Sequence, residues 1–142
     1  MAIVYGAAFS STDLTAKAPG TSHDAGERSF RNVFDFATNG GGGTVNTPKI
    51  AIVREGSCIK GFRVSSDVNC SGINFTIGTI ADPVKYCAAF AGPAANAQVI
   101  PTVKIPMQAM DPLARPEEIY LFPSGNMPAA GTLVAFTSAT HR

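Results

Sequence analysis

The pattern of hydrophobic and polar positions is clearest between Lys49 and Thr79. In Ile73-Asn74-Phe75-Thr76-Ile77-Gly78, the apolar Ile73, Phe75 and Ile77 interleave with Asn74, Thr76 and Gly78. Successive strand side chains point to opposite faces, so this stretch predicts a strand with one oily and one polar face. Ile59 to Ser66 predicts a second strand, in which Phe62 and Val64 share a phase and Ile59 falls out of it. Gly61 marks the break, where a bulge would restore the register. Ahead of both, Lys49-Ile50-Ala51-Ile52-Val53-Arg54 is a short apolar run of the kind a buried strand explains. Turn formers at Ser66 to Gly72 separate the second strand from the third. Three strands joined by short turns predict an antiparallel meander.

Further strands follow on the same reasoning. Phe30, Phe34 and Phe36 share one phase against Arg31, Val33 and Asp35, which predicts an aromatic-faced strand over 29–36. Val84–Ala91 is ambiguous, since Tyr86, Ala88 and Phe90 alternate while the alanines would also allow a helical turn. Gln98–Ile105 has Val99, Val103 and Ile105 in phase but is flanked by prolines, which suits an edge strand or a strand end. Glu117–Phe122 and Gly131–Ser138 complete the set. Seven or eight short strands and no long helix predict an all-β chain, an antiparallel β-sandwich or jelly-roll-like barrel.

The first 28 residues have little periodicity, yet Ile3, Val4, Tyr5, Phe9 and Leu14 make them too apolar for a solvated tail. They predict an extended N-terminal arm lying on its own body or on a neighbouring subunit. The glycine run 40–43 predicts a flexible joint, so the chain divides into an arm and joint (1–43) and a β-sandwich body (44–142). In this reading Ile3, Val4, Tyr5 and Phe9, with Phe30, Phe34 and Phe36, are the interaction residues. They would add a strand or an aromatic plug to a neighbour.

Composition narrows the function. The chain has 142 residues, enough for one domain. Only 15% are charged and the net charge is +1, with the basic residues scattered. Nucleic-acid or anionic-membrane binding calls for a basic cluster, and none is visible. No apolar run approaches the ~20 residues of a membrane span, and the N-terminus lacks a signal-peptide pattern. The chain is therefore expected to stay in the cytoplasm where it is made.

The candidate chemistry is sparse. Cys58, Cys70 and Cys87 match no zinc or redox spacing. They are expected as reduced, mostly buried thiols, with a Cys58–Cys70 disulfide as the alternative. His23 and His141 sit in the irregular start and beside the C-terminus, and Ser10, Ser22 and Ser124 lack a nucleophile elbow. Glu117 and Glu118 are adjacent and so should face opposite sides of a strand. No catalytic, cofactor or metal site is expected, and the chain is not expected to be an enzyme.

The body resembles the head decoration, or cement, proteins of tailed bacteriophages and their small virion relatives. The resemblance lies in the Lys49–Arg54 strand, Gly56-Ser57-Cys58-Ile59-Lys60-Gly61-Phe62-Arg63-Val64, Ser66-Asp67 and the Gly72–Gly78 strand. It continues through Ala81-Asp82-Pro83 with Lys85-Tyr86 and the glycine-led strand at 131–138. It covers roughly residues 49 to 138 as pattern rather than identity. The resemblance implies a non-enzymatic subunit on the outer capsid surface, commonly a homotrimer, that braces neighbouring major capsid proteins in the virion. A tail- or fibre-associated module is the alternative. A carbohydrate-binding sandwich fits less well, because there is no Trp and Tyr5, Tyr86 and Tyr120 are scattered.

Overall fold

The computed structural model describes residues 26–39, 46–104 and 112–141. The strands are β1 (Gly26–Asp35), β2 (Lys49–Val53), β3 (Ile59–Ser66), β4 (Asn74–Gly78), β5 (Cys87–Ala91), β6 (Ala97–Val99), β7 (Glu117–Pro123) and β8 (Thr132–His141). A single helical turn, α1 (Phe36–Asn39), follows β1. Asp35 starts it as an N-cap, its Oδ1 accepting hydrogen bonds from the amides of Ala37 and Thr38 at 3.0 and 3.4 Å.

The strands form two antiparallel sheets, ordered β1-β8-β3-β6 and β2-β7-β4-β5. β1 pairs with β8, β2 with β7, β3 with β6 and β4 with β5. These are the pairs of one long hairpin turned back between β4 and β5. Rolling that hairpin up zips β8 against β3 and β7 against β4. The result is a jelly roll, the eight-stranded form of the sandwich.

This topology corrects the meander expected over 49–79. β2 and β4 lie in one sheet, while β3 between them lies in the other. The segments that read as hairpin turns are corners at which the chain crosses from sheet to sheet. Both kinds of turn use the same residues, and both flank strands of the same period, so the pattern could not separate them. β2 is also less buried than its run of apolar residues suggests, because Ile52 points outward and is 56% exposed.

The bulge expected at Gly61 is present, as the β3–β8 register shifts between Ile59 and Gly61. It brings Ile59 onto the buried face with Phe62 and Val64. β5 resolves the ambiguity at 84–91 in favour of a strand, but not with the expected phase. A register shift opposite Phe75 and Ile77 puts Cys87 in the core and leaves Ala88 outside. β6 is an edge strand, as its flanking proline suggested, but it is only Ala97–Val99, and residues 100–104 of the expected strand do not form one.

β8 is the central strand of its sheet and alternates without a break. Leu133, Ala135, Thr137 and Ala139 point inward, with Val134, Phe136 and Ser138 on the other face. The small inward side chains leave room for larger neighbours. Thr137 lies opposite Phe30 of β1 and Phe62 of β3. The Thr137 hydroxyl is buried without a hydrogen-bond partner among the described residues.

The expected arm boundary needs revision for the same reason. Residues 26–35 pair with β8 along ten consecutive positions, so this segment is a strand of the body's own sheet. Phe36 is 1% exposed, and Phe30 and Phe34 pack against the same core. Aromatic residues in strand phase can serve a chain's own core as well as a neighbour's; the register with β8 assigns Phe30 and Phe34 to this chain's core, and burial assigns Phe36. Ile3, Val4, Tyr5, Phe9 and the glycine joint 40–43 lie outside the described residues.

Candidate interaction surface

The two outer faces of the sandwich differ in chemistry. On the β2-β7-β4-β5 sheet, alternation sets Glu118, Tyr120 and Phe122 of β7 outward, with Ile119 and Leu121 in the core. The Lys49 ammonium is 3.0 Å from Glu118, and the Tyr120 hydroxyl donates to the same carboxylate at 2.7 Å. Lys49 also lies over the Tyr120 ring, 5.7 Å from its centroid, and Tyr120 packs on Phe122 at 6.1 Å. The Tyr120 hydroxyl and the Lys49 ammonium hold the Glu118 carboxyl below its ordinary pKa, and the bond to Glu118 raises those of both partners. Every charge in this group is therefore matched locally.

As expected, Glu117 faces away from its neighbour. It accepts from the Tyr86 hydroxyl and pairs with Lys85 at 2.7 Å, so it anchors the 79–86 loop. That loop lies on the sheet so closely that a Cβ at Gly78 would stand 2.2 Å from the Asp82 carbonyl oxygen. Ile80 of the loop is 67% exposed. It lines a shallow groove with Thr79, Lys85, Glu117 and Tyr120.

The outer face of the β1-β8-β3-β6 sheet carries unmatched charge. Arg31 of β1 and Arg63 of β3 both lie in register with Phe136 of β8, one on either side. The Arg63 guanidinium sits over the Phe136 ring, 5.2 Å from its centroid. Among the described residues, neither arginine has a carboxylate partner. The next row along is Val33, Val134, Ser65 and Gln98. There an open groove runs toward the β6 edge between Ser65, Asp67, Asn96, Gln98 and Thr132. Asp67 is already engaged, accepting the Thr132 amide at 2.7 Å.

Among the described residues, no three His, Cys, Asp or Glu side chains gather where they could hold a metal ion. His23 is outside the described residues. No disulfide joins Cys58 to Cys70. Cys70 is buried beside Ser66, and burial raises its thiol pKa. Cys87 is fully enclosed, and burial pushes its thiol up to about 12. Among the described residues, no helix is long and apolar enough to cross a membrane.

What the sequence reading missed is the Arg31–Phe136–Arg63 row. Each member is visible as an outward position on its own strand, but only the strand order places the three side by side.

The fold is that of small jelly-roll sandwiches. It is similar to a chain of the capsid asymmetric unit of cyanophage Pam1, with a TM-score of 0.58 and 15% identity over 95% of this chain and 99% of that one. It is also similar to a chain of the capsid of Ralstonia phage GP4, with a TM-score of 0.56 and 12% identity over 84% and 85% of the two chains. No family model and no curated protein matches the sequence.

Proposed function

We propose that this chain is a non-enzymatic structural protein of a bacteriophage virion that binds the outer capsid surface and cements neighbouring major capsid subunits. The observation that carries this reading is the end-to-end likeness to a Pam1 capsid chain. The match covers 95% of this chain and 99% of that one, so it takes in both sheets of the sandwich rather than a few of its strands. The resemblance of residues 49–138 to head decoration proteins points the same way.

A brace acts by adding contact area that must be lost before shell subunits part. A subunit that binds only the assembled shell stabilises that shell by mass action. A homotrimer set over a junction between capsid subunits would multiply the contacts each copy makes. Burial of about 800 Å² per partner is the usual scale of a specific interface. The two outer sheet faces are the broad surfaces available for it.

The test is to count copies per purified particle by quantitative mass spectrometry, and to compare genome release on heating for particles with and without the protein. Hundreds of copies and earlier release from depleted particles are expected. A handful of copies would favour a tail or fibre component, and identical release curves would refute the bracing role.

A further inference from the structure

We propose that the Arg31–Phe136–Arg63 row on the outer face of the β1-β8-β3-β6 sheet docks a segment of a partner protein carrying two carboxylates. The inference deepens the proposed function by naming the chemistry of one contact, and to that extent it rests on that reading.

Charge complementarity carries the argument. On the opposite face Lys49 has Glu118, and Lys85 of the loop lying on that sheet has Glu117. On this face, Arg31 and Arg63 stand in register on either side of Phe136, with the Arg63 guanidinium over its ring, and neither has a carboxylate partner among the described residues. One strand separates β1 from β3, so the two arginine backbones stand roughly 10 Å apart. Side chains of that length can close on two carboxylates a few residues apart, each bound by two N–H donors. The cation–π contact with Phe136 restrains the Arg63 guanidinium before the partner arrives, and this reduces the ordering cost of binding. Gly61, on β3 beside Arg63, adds no side chain that would obstruct an incoming chain.

The same face disfavours a long polyanion. Glu27 and Asp35 stand on β1 four residues either side of Arg31, each roughly 13 Å away along the strand. A nucleic-acid backbone laid across the row would meet those carboxylates, whereas a short acidic segment ends before them.

Two measurements test the proposal. First, a library of twelve-residue peptides is selected on the immobilised protein, and in parallel on the Arg31→Gln/Arg63→Gln double variant. Asp- and Glu-bearing peptides should be enriched on the wild type and lose at least tenfold in affinity on the variant. No acidic enrichment, equal enrichment on the two proteins, or tighter binding of duplex DNA than of any peptide would overturn the proposal. Second, binding to capsid shells stripped of the protein is compared for the wild type, the double variant and Lys49→Gln on the opposite face. The double variant should bind at least tenfold more weakly at low salt, and Lys49→Gln should match the wild type.

If no protein binds shells, the proposed function fails while the peptide result stands. If all three bind equally, the docking inference fails and the proposed function survives. Arg63→Lys keeps the charge but not the planar fork, and its intermediate loss of binding at unchanged melting temperature would separate recognition from mere shielding of Phe136.

Discussion

Replacing Gly78 with alanine should loosen the 79–86 loop from the sheet beneath it. The new Cβ would lie 2.2 Å from the Asp82 carbonyl oxygen, with the Pro83 carbon and oxygen at 2.6 and 2.7 Å. All three are backbone atoms, so no side-chain rotation can relieve the contact. The loop is also held from several sides. The Thr79 amide donates to the Asp82 carbonyl, the Tyr86 amide donates to that of Ile77, and the Tyr86 ring is buried with its hydroxyl on Glu117. Releasing the loop entirely would forfeit about 1.5–3 kcal/mol of burial at Tyr86, plus about 1 kcal/mol for each hydrogen bond lost. Straining it in place costs about 1–3 kcal/mol, so strain is the cheaper route. Alanine returns about 0.4–1 kcal/mol by restricting the unfolded chain. The net loss should be about 1–2 kcal/mol, a fall in melting temperature of roughly 3–8 °C for a domain of this size. Gly61→Ala is the matched control, because a Cβ there meets nothing within 4 Å. Urea and thermal unfolding of the two variants side by side make the assay. If Gly78→Ala is as stable as Gly61→Ala, the loop does not lie on the sheet as described and the reasoning fails.

Thr137→Val should stabilise the protein by about 1–2 kcal/mol, since it removes a buried hydroxyl that has no partner among the described residues and keeps the side chain's shape; a lower denaturation midpoint would contradict this. Deleting residues 1–39 should unfold the chain rather than leave a folded body, because it bares the β8 edge and removes Phe36 from the core; a cooperative melt of the truncated protein would refute it. Burial raises the Cys87 thiol from an ordinary 9.0 to about 12, so the folded state keeps a proton that the unfolded chain releases. That contribution to stability is whole below about pH 9 and is lost as pH rises toward about 12, with the raised Tyr86 hydroxyl acting in the same direction. Denaturation midpoints from pH 8 to 11 should decline, more steeply in the wild type than in Cys87→Ala.

Local structure was legible in the order of the residues. Period-two alternation located β3, β4, β7 and β8, and the phase slip at Ile59 located a bulge that the β3–β8 register contains. The all-β class follows from these strands and from turn residues between them. The adjacent acids Glu117 and Glu118 divide between a loop anchor and an outer face because strand geometry leaves no other choice. Strand order could not be had in this way. Alternation says that a strand has an inner face but not which sheet supplies it, so β2, β3 and β4 read as neighbours although the chain crosses the core at each corner. The ring phase at 30, 34 and 36 likewise marks an apolar edge without naming its owner, and only the pairing of β1 with β8 and the burial of Phe36 assign it to this chain's own core. The candidate docking row is the extreme case. Arg31, Phe136 and Arg63 are separated by most of the chain, and they become one surface only because the rolled hairpin lays β8 between β1 and β3.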